Sequence, residues 1–135
     1  MALTLISTHT ASADSSIDIT SGITSTYDSY EFHFVNLHPA NDGVGLRFQV
    51  NAAGESGFNE SMISTMFVAT HAEGGGSESF ASNSADQEMG TDYPLLNFNS
   101  GNDNDQSCSG VLILYAPSST TYVKHYTYNG VNSSE

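Results

Sequence analysis

Basic residues are nearly missing from this chain. Against fifteen Asp and Glu stand only Arg47 and Lys124, for a formal net charge of −13 at pH 7. Affinity for a phosphate backbone comes from Lys and Arg displacing counterions, so a nucleic-acid partner is not expected. A single cysteine, Cys108, excludes an intramolecular disulfide framework and leaves the fold to packing and strand pairing; Cys108 itself reads as a small buried side chain beside the strand that follows. Tryptophan is absent, and with it the indole that most often stacks on a sugar ring. No apolar run approaches the roughly 20 residues of a membrane span. The opening MALTLISTHTAS carries no basic n-region and too short an apolar run for a signal peptide.

What the chain does have is a strand pattern. Tyr30, Phe32 and Phe34 alternate with Glu31, His33 and Val35; beyond Asn41-Asp42-Gly43, Val44, Leu46, Phe48 and Val50 alternate with Gly45, Arg47 and Gln49. Period-2 alternation marks a strand with one buried face, and an Asp-Gly turn between two such runs predicts a hairpin. The stretches 3–7 and 17–19 read as short leading strands, 62–71 as a strand closed by the glycine run at 74–76, and 95–98 as an edge strand. Val111 to Tyr115 (VLILY) is continuously apolar and predicts a strand buried on both faces, and alternation returns from Tyr122 to Tyr128. The stretch 72–94 is a long Gly- and Ser-rich loop, anchored by little more than Phe80, Met89 and Tyr93. A chain of 135 residues fits one domain, 1–135, with a single core. The expected class is all-β: an antiparallel β-sandwich, jelly-roll-like, with Phe32, Phe34, Leu46, Phe48, Leu112 and Leu114 in one apolar layer.

Three runs carry a resemblance: SGITSTYDSYEFHFVNLHPA (21–40), FQVNAAGESGFN (48–59) and YAPSSTTYVKHY (115–126). In that order they resemble virion structural proteins of tailed phages, many of them marine. The resemblance implies a β-sandwich in a particle and brings no catalytic signature. Proteins of that kind run on for several strands past the YVKHY segment, so it also implies a short or partial version of a longer chain. A strand missing there would leave an open edge that invites pairing with a neighbour.

The residues with chemistry do not converge in the sequence. The histidines at 9, 33, 38, 71 and 125 are scattered over different elements. Asn102-Asp103-Asn104-Asp105 has the oxygen density of a calcium loop but lacks the glycine and distal Glu of an EF-hand, and reads as a solvated acidic turn. The glycine run between Glu73 and Glu78 has no following Lys or helix start and so no phosphate cradle. Asp86, Glu88 and Asp92 are the carboxylates a glycosidase would need in a pair, set in a polar loop. Cys108 has acidic neighbours, Asp103 and Asp105, which disfavour a thiolate. No catalytic, cofactor-binding or metal site is therefore expected, and no enzyme.

The expected function is that of a non-enzymatic structural protein on the exterior of a tailed-phage virion, as capsid decoration or as part of a tail appendage. It would be assembled in the bacterial host cytoplasm. Expected partners are further copies of the chain, with a trimer favoured, and other virion proteins such as the major capsid or tail proteins. The aromatic face of Tyr122, Tyr126 and Tyr128 is the expected contact. The alternative is a carbohydrate-binding or carbohydrate-cleaving receptor module of a phage tail, meeting a host glycan through the 72–94 loop.

Overall fold

The computed structural model describes residues 2–72, 74–75, 78–82 and 85–134. Among them the regular elements are all strands: β1 (Ser29–Leu37), β2 (Phe67–Thr70), β3 (Ser79–Ser82), β4 (Cys108–Tyr115) and β5 (His125–Asn132). Every pairing is antiparallel, giving a three-stranded sheet in the order β1-β4-β5 and a two-stranded sheet of β2 and β3. The all-β class is thus what the structure has, in two small sheets.

The sequence explains why β4 lies in the centre. VLILY can bury one face fully and part of the other, so it takes the position with a neighbour on each side. The even-numbered residues of β4 turn inward, and Leu112 is fully buried at 0 % exposure, with Leu114 and Cys108 close to it. Across the sheet Leu112 stands between Phe32 and Tyr128, and Leu114 between Tyr30 and Tyr126. The next inward rank is Phe34, Gly110 and Gly130. Here two glycines leave a gap in the apolar layer, and the Tyr128 ring leans across both to reach Phe34, with ring centroids 6.2 Å apart. A Cβ at either glycine would fall inside that ring.

The layer over this face is held by bridges. Residues 44–48 run against 94–100: Val44 and Ser100 exchange both backbone hydrogen bonds, Leu96 N–H donates to the Leu46 carbonyl at 2.8 Å, and Phe48 N–H to the Pro94 carbonyl at 3.1 Å. The bridges Val44–Ser100 and Arg47–Leu95 are out of step, and the slack is taken up by a side chain. Buried Asn97 accepts from Leu46 N–H at 2.6 Å and donates to Ser100 Oγ at 3.2 Å, while Gly45 passes so close to the Asn97 carbonyl that a Cβ would strike it. Leu46, Phe48 and Leu96 from this layer meet Phe32, Phe34, Leu112, Leu114, Tyr126 and Tyr128 from the sheet. All six expected core residues are in this cluster.

Several expectations are corrected. β1 pairs with β4 and not with 44–50, so the predicted hairpin does not form. The turn at 42–43 is present, but Asn36 at φ 49° starts a bulge, and Pro39 follows, so the chain has left the sheet before it reaches the turn. Residues 3–7 and 17–19 make no strand, and 95–98 contributes one bridge. β4 is buried on one face only, its other side chains being half-buried at Val111 and Ile113 and exposed at Tyr115. The last strand begins later than expected, at His125, and runs on to Asn132. The 72–94 loop contains β3, which closes a hairpin with β2; Glu73, Gly76, Ser77, Asn83 and Ser84 within it lie outside the described residues.

Candidate functional site

The functional interest of this fold lies in its open edges and faces. β5 pairs with β4 alone. On its far side, alternate N–H and C=O groups from 125 to 131 make no backbone bond among the described residues. An unpaired strand edge of this kind is a template for another strand. Between the later half of β5 and β2 runs a groove of about 180 Å³, lined by Met66, Phe67, Leu96, Phe98, Tyr128 and Val131 among others. Asn132 holds one end of it, its side-chain amide donating to the carbonyls of Phe98 at 3.1 Å and Asn99 at 3.4 Å. On the β2–β3 hairpin, Phe67 and Phe80 stack with centroids 6.0 Å apart and planes 11° apart, yet stand 64 % and 75 % exposed. The outer face of the three-stranded sheet carries exposed Val35, Tyr115 and Val131 and half-buried Val111 and Ile113, flanked by Glu31, His33, His125 and Thr127.

The segment before β1 is equally open. Residues 2–28 form no strand, and Leu3 and Leu5 are 70 % and 82 % exposed. It is fastened near its end by Tyr30, whose hydroxyl donates to the Thr24 carbonyl at 2.8 Å and accepts from Thr24 N–H at 2.8 Å. Contact with the Thr24 hydroxyl and then its backbone holds the Tyr30 phenol below its ordinary value.

Residues with chemistry stay apart. His33 Nε2 donates to Glu31 at 2.8 Å on the outer sheet face, and His38 Nδ1 donates to the Gln106 carbonyl at 2.8 Å where the chain leaves the sheet. His71 pairs with Glu78 at 3.3 Å on the hairpin, and His9 sits 3.3 Å from Ser7. His125 shares the outer face with His33 but lies two strands and two ranks away. Among the described residues no three His, Cys, Asp or Glu side chains gather as a metal would need. Asn102 to Asp105 form an exposed turn closed by Gln106, whose N–H donates to the Asp103 carbonyl and whose side chain accepts from Asp103 N–H. Asp86 has a structural bond, accepting from Met66 N–H at 2.7 Å, while Glu88 and Asp92 are exposed. Arg47 donates to the Tyr93 carbonyl at 2.9 Å. Cys108 is buried, as expected.

The expected tyrosine contact face is overturned in part. Tyr122 is exposed, but Tyr126 and Tyr128 turn into the core, Tyr126 against Phe48 at 5.6 Å and Tyr128 against Phe34. Burial raises both phenols above the ordinary value; the nearby Ser64 hydroxyl pulls Tyr126 partly back, and the Cys108 thiol adds to the rise at Tyr128. Neither buried hydroxyl oxygen has a partner at hydrogen-bond geometry among the described residues. Sequence reasoning also missed buried Gln49, whose amide donates to the carbonyls of Glu60 and Thr91 at 3.1 Å and Asp92 at 3.3 Å, tying three segments together. Its place in an alternating run gave an outward reading, and no local signal distinguishes it.

Comparison of the chain with protein-family models, curated proteins and solved structures finds no match.

Proposed function

We propose that this chain is a non-enzymatic structural protein of the exterior of a tailed-phage virion, decorating the capsid or forming part of a tail appendage. It works as a homo-oligomer, three copies being the expected number, and meets other virion proteins such as the major capsid or tail protein. In this reading the β-sandwich, of jelly-roll type, is completed between copies.

One observation carries the assembly part. The chain exposes 9873 Å². A compact monomer of its 14.3 kDa mass exposes about 6,800 Å². The excess of about 3,000 Å² is well above the roughly 800 Å² per partner that a stable interface buries. Among the described residues the buried apolar side chains are Tyr30, Pro94, Leu96, Cys108, Leu112 and Leu114, a small core for a chain of this length. The virion part is supported by the resemblance of 21–40, 48–59 and 115–126 to phage structural proteins. The strongly acidic, hydroxyl-rich composition also suits a particle surface in salty water, where screening confines carboxylate repulsion to about 10 Å.

Light scattering on the purified chain tests assembly, with a stable monomer at micromolar concentration counting against it. Quantitative mass spectrometry of purified particles tests location: hundreds of copies per particle mean shell decoration, about a dozen mean a tail part, and absence from particles refutes the virion reading. A second reading, a module that meets a host glycan, is favoured by one feature of the β2–β3 hairpin. The exposed Phe67–Phe80 stack stands beside Thr70, Ser79, His71 and Glu78, setting an apolar ring next to hydroxyl and carboxylate groups. Binding on a glycan array that is lost in Phe80→Ser would select it.

A further inference from the structure

The groove beside β5 and the exposed segment before β1 have complementary properties. β5 offers eight residues of strand whose far edge is unpaired among the described residues, and the groove along it is lined by Met66, Phe67, Leu96, Phe98 and Val131 together with the amides of Asn97 and Asn132. The segment 3–10, LTLISTHT, is eight residues outside any sheet, with Leu3 and Leu5 on one side of a period-2 pattern and 70 % and 82 % exposed, while Ile6 on the other side lies over Gly22. Extended, eight residues span about 26 Å, the same length as the strand beside which they would lie. A strand added to an open edge gains main-chain hydrogen bonds, and alternate side chains enter whatever pocket the edge borders.

Charge decides who supplies the strand. All fifteen acidic residues, and both cations, lie at position 14 or later; the first thirteen residues contain no Asp, Glu, Lys or Arg. Two bodies that each carry most of a −13 charge repel when brought face to face. An uncharged segment of one copy can reach the other without that cost. The residues between 11 and 28 can extend to roughly 55 Å, enough to cross to a neighbour.

We propose that residues Leu3–Thr10 of one copy add as a strand to the free edge of β5 in a second copy, with Leu3 and Leu5 entering the groove between β5 and β2. The exchange rests on the homo-oligomer reading above and names its contact.

The test uses the chain with Leu5 replaced by the photo-crosslinker p-benzoylphenylalanine, expressed separately in light and ¹⁵N medium, unfolded in urea, mixed in equal amounts and refolded together. Irradiation is expected to join position 5 to residues 66–69 or 128–132, with about half of the joined peptide pairs carrying one light and one heavy partner. Products that are only light–light or heavy–heavy place the segment on its own chain and overturn the exchange. Cross-links elsewhere, in a sample that light scattering shows to be oligomeric, overturn the docking site and leave the oligomer standing. A monomer without inter-chain products overturns both. In parallel, Leu5→Asp is expected to raise the assembly Kd at least ten-fold, whereas Ser15→Asp, which adds the same charge beyond the docked stretch, shifts it less than two-fold; equal effects refute the proposal.

Discussion

Changing Tyr128 to Phe should make this protein more stable. The ring is fixed between Phe34 and the two glycines, and the substitution keeps those contacts. What it removes is a hydroxyl that is buried with no hydrogen-bond partner among the described residues. Leaving such a group unsatisfied costs about 1 to 3 kcal/mol. Tyr128→Phe should therefore raise the unfolding free energy by about 1 kcal/mol, and Tyr126→Phe by somewhat less, because the Ser64 hydroxyl is near enough to offset part of the cost. In urea, with a slope of about 1 to 3 kcal/mol per molar, this moves the midpoint up by roughly 0.5 M. The pH dependence gives a second, independent reading. Burial raises the folded-state pKa of both phenols above the unfolded value of about 10. Below that value both states are protonated and the contribution is constant. Above it the unfolded chain releases protons that the folded chain retains, so stability falls as pH rises. The Phe variants lose this fall, and their advantage over the parent should widen between pH 9 and pH 11. Urea titrations followed by circular dichroism at fixed protomer concentration measure both effects. A Tyr128→Phe variant less stable than the parent by 1 kcal/mol or more at pH 7 would refute the reasoning, since it would mean that the hydroxyl has a partner worth keeping.

Four further outcomes are expected. Leu112→Ala, at the fully buried centre of β4, should cost about 2 to 5 kcal/mol in the same titration. Gly110→Ala should cost about 1 to 3 kcal/mol by driving a methyl into the Tyr128 ring, and Tyr128→Leu in the same chain should recover part of the loss. Ala116, held at φ 43° with its N–H donating to the Asp28 carbonyl, is in the left-handed region, so Ala116→Gly should stabilise by about 1 kcal/mol. The thermal midpoint of the parent should rise with protomer concentration, whereas Leu5→Asp should flatten that dependence; scanning calorimetry over a hundred-fold range of concentration reads it directly.

The core was legible because its signal is local. Alternation at 30–34 and 44–48 fixes which side of each run is apolar, whatever the run pairs with, so Phe32, Phe34, Leu46 and Phe48 meet Leu112 and Leu114 although the predicted hairpin is absent. The inward Leu46 and outward Arg47 follow from the same rule. The pairing partner was not legible, because choosing β4 over 44–50 joins residues some 80 positions apart and turns on a bulge at Asn36 that no residue type announces. Gln49 and Asn97 were missed for a related reason. Amide side chains are mostly exposed, and a buried one is recognised only when the carbonyls and N–H groups it serves are seen around it. Tyr126 and Tyr128 were assigned to a contact surface because an alternating aromatic run has no label for its inner face until the neighbouring strand is known.

The leading segment shows the opposite case, a strand signal with no partner inside the chain. Leu3 and Leu5 alternate as a strand should, yet the described residues place no ladder beside them, while β5 presents an unpaired edge and a groove of mixed polarity that Phe67, Leu96 and Phe98 help to line. A β-pattern left solvated gains neither its main-chain hydrogen bonds nor the burial of its leucines, which at about 25 cal/mol per Å² amounts to a few kcal/mol for two side chains. Among its described residues the same chain has a small buried apolar core, and it exposes about 3,000 Å² more surface than its mass requires. The proposed arrangement would answer the unpaired strand, the unpaired edge and the excess surface together: a ladder between copies, formed by a leading stretch, residues 1–13, that carries no acid and so brings none of the chain's fifteen carboxylates with it.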